Sequence, residues 1–319
     1  MDVPLNTISD LCDSFLVPFK PLLADESITD IWRNGNGKTF VAAGGRKRQV
    51  ECLIEEEMLV VAIRQIGRLV SKAEISRKQP ILDARLLDGS RINAVLFPLS
   101  QPGSQMSIRK FRMQYFTLER LVSMGSVHPD AAELLKDAVW GRKSILICGA
   151  TGSGKTTMLN ALVDMIDPEE RLCIVEDTAE LQVNRLENVV RLEERKEQPG
   201  VRAVSLRELV KATLRQAPDR IVLGEVRDGA AFDLVTAMTT GHDGTISTIH
   251  ANTAAEALDR LVTLCQMADV NLGREVIERL IGHSLHFVVH MDRTRRLNEV
   301  LAVEGVAAGQ FKTRRAWPL

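Results

Sequence analysis

Aromatic residues are scarce: Phe, Trp and Tyr make up 4% of the 319 residues. A platform on which single-stranded bases could stack is therefore not expected. An excess of charge is missing too, since 41 Lys and Arg face 42 Asp and Glu and the formal net charge is −1. Proteins that track phosphate backbones carry a basic surplus, so direct nucleic-acid binding is not expected. Cys12, Cys52, Cys148, Cys173 and Cys265 form no C-x-x-C pair. That leaves a zinc site or a disulfide framework without support and fits a reducing cytosol. Cys148 and Cys173 lie in apolar runs and read as small buried hydrophobes. No run nears ~18 consecutive apolar residues, and the N-terminus lacks the charged-then-apolar layout of a signal peptide. Membrane contact is expected to pass through a partner or a surface patch.

The length is about twice the ~150-residue prior for one domain, so two domains are expected. The first has mixed α+β character. Ile28 to Trp32 and Thr39 to Val41 read as strands around an Asn-Gly turn, and Met58, Leu59, Ala62, Ile63 and Ile66 mark a helix over Glu55 to Val70. Ile81 to Leu86 and Arg91 to Phe97 form a hairpin around Asp88-Gly89, followed by a strand over Met106 to Lys110. The joint is placed near residue 112, giving an α+β domain over 1–112, a linker to about 125 and a second domain over 113–319. In that second part strands alternate with helices, as in an α/β parallel sheet covered by helices. The strands are Ile145 to Cys148, Leu172 to Val175, Val189 to Leu192, Ile221 to Leu223 and Thr245 to Ile249. Capping-box patterns at Ser205 and Thr253 open helices through Leu214 and Met267.

Between strand and helix stands Gly149-Ala150-Thr151-Gly152-Ser153-Gly154-Lys155-Thr156, a G-x-x-x-x-G-K-[ST] loop followed by Thr157. Glycines allow backbone N–H groups to curl around phosphate oxygens, and the helix start adds the positive end of its dipole. Lys155 is expected to reach the β- and γ-phosphates of ATP, and Thr156 to offer a hydroxyl to Mg²⁺. In a doubly wound sheet the ligand lies at the carboxyl ends of the strands, so acidic residues there are candidates. Glu176 could orient or deprotonate the attacking water, with Asp177 assisting or acting as a simple cap. Glu225, after Gly224, could reach Mg²⁺ through water, with Gly224 keeping space for it. His250, on the C-terminal side of a strand, could report the γ-phosphate by one hydrogen bond, and His242 is a weaker candidate. His128, His283, His286 and His290 read as structural.

Taken in order, GATGSGKTT at 149–157, IVEDTAEL at 174–181, LRQAPDRIVLGEVRD at 214–228 and TGHDGTISTIHANT at 240–253 resemble the Walker A, Asp box, Walker B and His box of the secretion and pilus traffic ATPases. DARLLDGSRINAV at 83–95 and MSIRKF at 106–111 resemble the N-terminal domain and linker of that superfamily. The nearest wording is that of tight-adherence pilus and of conjugal or type IV secretion ATPases. The resemblance implies a RecA-like ATPase domain behind a smaller N-terminal domain, assembled as a homohexamer. It implies ATP between the two domains, with hydrolysis moving them to drive pilus assembly, conjugal transfer or secretion. It also implies inner-membrane platform or secretion-channel partners and a cytoplasmic protein peripheral to that membrane. Arg91 and Arg109 occupy the positions whose arginines would meet the γ-phosphate, and Arg85 is a third candidate. Ala217 and Asp228 depart from the usual arginine and glycine of the pattern. A RecA-like nucleic-acid motor and a non-hydrolysing nucleotide switch are the alternatives.

Overall fold

Ile28–Arg33 (β1), Thr39–Ala43 (β2), Arg46–Val50 (β3), Ile81–Arg85 (β4), Arg91–Val95 (β5) and Gln105–Arg109 (β6) form one sheet in the order β3-β2-β1-β6-β5-β4. Every pairing in it is antiparallel. This is the N-terminal of two units in the computed structural model, which describes residues 14–71, 74–86, 88–111, 116–195, 197 and 201–318. The units divide between residues 113 and 114; the joint expected near residue 112 lies outside the described residues.

The helix Glu56–Ile66 brings Leu59, Ile63 and Ile66 into one core with Ile31, Ile92 and Ile108. Its α-helical part stops at Ile66, and Gly67–Ser71 continues as a π-helical turn where α-helix through Val70 is expected. β3 is not among the expected strands. Arg46, Lys47, Arg48 and Gln49 are all exposed, so no apolar alternation marks the segment. Such a basic edge strand resists pairing with another chain.

The second unit holds Ile145–Gly149 (β7), Leu172–Glu176 (β8), Val189–Glu193 (β9), Arg220–Leu223 (β10), Ile246–Ile249 (β11), Phe287–Met291 (β12), Leu297–Ala307 (β13) and Gln310–Trp317 (β14). They form a sheet in the order β14-β13-β12-β7-β11-β10-β8-β9. The six strands from β12 to β9 run parallel, and β13 and β14 add an antiparallel hairpin. Every residue of β7, β8, β10 and β11 is buried, as a parallel sheet covered on both faces requires. Alternate residues of β7 enter opposite cores. Ile145 and Ile147 pack in the one containing Leu159 and Leu162, and Leu146 and Cys148 in the one containing Leu234 and Leu258. Burial pushes the Cys148 thiol up to about 12, which makes it an inert core residue.

β12, β13 and β14 are absent from the sequence reading. No Gly or Pro flanks β12, and β14 carries Lys312, Arg314 and Arg315, which pair with Glu304 and Glu299 on β13. The Ser205 capping box forms as drawn. At the second helix Thr253 caps Glu256, while Glu256 accepts the N–H of Asn252 instead of that of Thr253. No helix among the described residues is long and apolar enough to cross a membrane.

Asp228, where the resembled pattern has glycine, sits at φ +46°. Aspartate tolerates this left-handed conformation better than most residues, and its carboxylate accepts the Ala230 N–H at 3.0 Å. Asp228→Gly is expected to be neutral or to stabilise by up to ~1 kcal/mol, and Asp228→Val to destabilise by ~1–2 kcal/mol. Thermal unfolding reads both.

Candidate active site

Parallel pairing sets the C-terminal ends of β7, β11, β10 and β8 side by side in that order. Whatever follows each strand therefore lines one edge of the sheet. The glycine-rich loop follows β7, His250 follows β11, Glu225 follows β10, and Glu176 and Asp177 stand at the end of β8. His242 precedes β11 and so lies at the opposite end, with Nδ1 3.3 Å from the Ala237 carbonyl.

Gly154, at φ +92°, is the N-cap of the helix Lys155–Val163. A side chain there would be strained, so glycine lets the helix start directly from the loop. Lys155, the first helical residue, is 7% exposed. Its Nζ donates to the carbonyls of Gly149 at 3.0 Å and Ala150 at 3.1 Å and lies 3.2 Å from His250 Nδ1. Gly152, Gly154, Lys155, Thr156 and Thr157 line a 370 Å³ cavity together with Phe116, Leu121, Met124, Met291 and Arg295. That volume suits a nucleoside. Gly149, Ala150 and Thr151 wall a second hollow of 400 Å³ together with His250, Asn252 and Arg260. Ser153 is buried, and its Oγ has no hydrogen-bond partner.

From Lys155 a chain of polar contacts crosses the strand ends. An ammonium only donates, so His250 Nδ1 accepts from Lys155 and the ring proton sits on Nε2. Nε2 lies 3.2 Å from Glu225 Oε1. Arg227 grips the same carboxylate, Nε to Oε1 and Nη2 to Oε2, both at 3.0 Å, and its Nη1 reaches Asp177 Oδ2 at 2.8 Å. Arg227 is not among the site residues expected from the sequence. Its signal is an arginine two residues past a strand-terminal glutamate, which an extended segment places on the same side. Phe116, Met124, Met291 and Arg295 were missed as well, because they come from separate elements that only the fold assembles.

These contacts set the charges. Burial depresses the His250 pKa, and Lys155 adds to this against the pull of Glu225, so the imidazole is neutral at pH 7. Burial likewise depresses that of Lys155, with Glu225 opposing. Burial alone would raise Glu225, but Arg227, His250 and Lys155 outweigh it and hold the carboxyl below its ordinary range. Glu176 goes the other way. It is 3% exposed, and burial pushes its carboxyl up to about 6 even though Oε1 accepts the N–H groups of Glu180 at 2.7 Å and Leu181 at 2.8 Å. Two carboxyls on one sheet edge thus have pKa values driven apart, the pattern that separates roles in acid–base sites. Gly224 serves Glu176: a Cβ at Gly224 would come within 3.1 Å of Glu176 Cγ. The space expected to serve Glu225 is filled by the neighbouring glutamate.

Among the described residues no group of three or more His, Cys, Asp and Glu side chains could hold a metal ion. A Mg²⁺ bound mainly through phosphate oxygens and water needs only one or two protein contacts. Of the residues expected to hold it, Thr156 lines the 370 Å³ cavity and Glu225 stands ionised past the end of β10.

In the N-terminal unit the register aligns Arg85 with Arg91 and Arg91 with Arg109 across β4, β5 and β6, and Arg109 with Asp30 on β1. Arg109 pairs with Asp30 at 3.0 Å, and Arg85 lies over the Phe111 ring. Facing like charges destabilise a sheet; here Asp30 offsets Arg109, and Arg85 Nε donates to the Gly89 carbonyl at 3.3 Å. The structural reading of the other histidines holds where contacts exist. His128 caps a helix, His286 accepts the Ser144 N–H and His290 lies 3.3 Å from the Asn298 amide.

The type II/IV secretion system protein family matches residues 15–308. The conjugal transfer protein TrbB of Rhizobium radiobacter is 34% identical over 298 residues, covering 91% of this chain and 88% of its own length. The type IV secretion system protein VirB11 of Bartonella henselae is 31% identical, covering 98% of each chain. The crystal structure of the pilus retraction motor PilT with bound ADP shares the fold, with TM-score 0.64 over 94% of this chain and 81% of that one at 21% identity. The chain belongs to the type II/IV secretion system protein family.

Proposed function

We propose that the protein is a Mg²⁺-dependent ATPase that works as a homohexameric motor for conjugal transfer, secretion or pilus assembly. The observation that carries this reading is the contact chain Lys155–His250–Glu225, which joins the glycine-rich loop to an ionised carboxylate across three strand ends. Residues 113–319 form the ATPase domain, and 1–112, with a linker to about 125, the domain that hydrolysis displaces.

Loop N–H groups from Gly149 to Thr157 bind the phosphates, and Lys155 transfers its hydrogen bonds from loop carbonyls to phosphate oxygens. Mg²⁺, when bound, would offset phosphate charge, held by Thr156 and through water by Glu225. Glu176 takes the proton of the attacking water, for which a carboxyl near 6 is a better base than an ordinary one. His250, bonded to Lys155 at Nδ1 and to Glu225 at Nε2, passes the presence of the γ-phosphate from Lys155 to Glu225. Arg91 and Arg109, with Arg85 beside them, meet the developing charge on the phosphoryl group. The partners are inner-membrane platform or channel proteins, and the protein is cytoplasmic and peripheral to that membrane. No direct nucleic-acid contact is involved.

ATP turnover is expected to require Mg²⁺ and to vanish when the metal is chelated, and the active species is expected to have the mass of six chains. Phosphate release and light scattering read these. Metal-independent turnover, or stimulation by DNA with the steep salt dependence of phosphate contacts, would contradict the reading.

A further inference from the structure

Glu225 stands two residues past the end of β10 on a side chain with three rotatable bonds, so its backbone alone does not fix where the carboxylate points. Arg227 does. Nε and Nη2 engage both carboxylate oxygens at 3.0 Å in a parallel fork, and Nη1 is tied to Asp177 Oδ2 at 2.8 Å. Asp177 follows β8 and Glu225 follows β10, so the fork is anchored on one strand end and orients a side chain on another. With His250 Nε2 also beside Oε1, two donors reach Oε1 and one reaches Oε2, which leaves an acceptor position on Oε2. The Arg227 side chain is 51% exposed, and exposed ion pairs contribute little to stability. The effect of this clip is therefore to be sought in the chemistry.

Resting on the ATP-hydrolysis reading above, we propose that Arg227 is a positioning residue. Anchored by Asp177, it fixes the Glu225 carboxylate for phosphoryl transfer and couples it to the β8 end, where Glu176 stands. Arg227 itself touches no reacting atom.

The test measures steady-state ATP hydrolysis with Mg²⁺, and equilibrium binding of a fluorescent ATP analogue, in the full chain. Arg227→Gln is expected to lower kcat by ~10- to 100-fold, with KM and analogue Kd within about threefold of the parent. Asp177→Ala, which removes the anchor and leaves Arg227 in place, should lower kcat in the same direction by a smaller factor. The double variant should be no slower than Arg227→Gln, because both changes act through one contact. Arg227→Lys keeps the charge but not the fork and should recover only part of the loss. Parent-level or raised kcat in Arg227→Gln, or losses that multiply in the double variant, would overturn the proposal. A parent chain that binds the analogue but shows no turnover would overturn the hydrolysis reading, and this inference with it.

Discussion

Glu176→Gln is expected to lower ATP turnover by ~10²- to 10⁴-fold, the range contributed by a general base, while making the folded protein more stable above pH 6. The two effects share one cause. Glu176 titrates at about 6 in the folded chain, against 4.5 for an unperturbed glutamate. Between these values the folded state holds a proton that the unfolded chain has released. Its contribution is therefore fully present below pH 4.5 and is lost as pH rises through 6, by about 2 kcal/mol in total. Glutamine keeps an oxygen for the N–H groups of Glu180 and Leu181 and carries no charge to bury, so the variant escapes that loss. Chemical denaturation at pH 5 and pH 8 should show the variant's advantage growing with pH. The parent's kcat should in turn rise with pH through about 6, a limb absent from the variant. Equal stabilities at pH 8 would show that Glu176 is not strained by burial.

Lys155→Ala is expected to weaken nucleotide binding by ~10- to 100-fold, the equivalent of one charge-assisted hydrogen-bonding group at ~1.5–3 kcal/mol. Its ammonium is buried against the Gly149 and Ala150 carbonyls and His250, so the variant loses a cation from the loop and leaves His250 Nδ1 without a donor. Fluorescent-nucleotide titration measures the affinity. Retained affinity with lost turnover would move Lys155 from binding to chemistry.

The loop at Gly149 to Thr156 was legible because its chemistry is local: eight consecutive residues specify strand end, turn and helix start. The order of Lys155, His250, Glu225 and Asp177 along the sheet edge was not, because it depends on β11 lying between β7 and β10, and strand order is a long-range property. The same limit hid the Arg227–Asp177 contact, which joins residues 50 apart in sequence, and the role of Gly224, whose partner Glu176 comes from another strand. β3 and β14 escaped for a different reason. Edge strands covered in Arg and Lys lack the alternation that reveals a half-buried strand. The arginine row was visible as single residues in β4, β5 and β6, yet only antiparallel register makes Arg85, Arg91 and Arg109 neighbours.

In the proposed mechanism, ATP hydrolysis rests on two carboxylates at this sheet edge, one poised near 6 and one held ionised by Arg227. The direct test is single-turnover hydrolysis of radiolabelled ATP, with nucleotide binding measured alongside, in the parent, Glu176→Gln and Glu225→Gln. Both variants are expected to hold ATP with near-parent affinity and to release phosphate at least ~10²-fold more slowly. Release at the parent rate in both variants would contradict that mechanism.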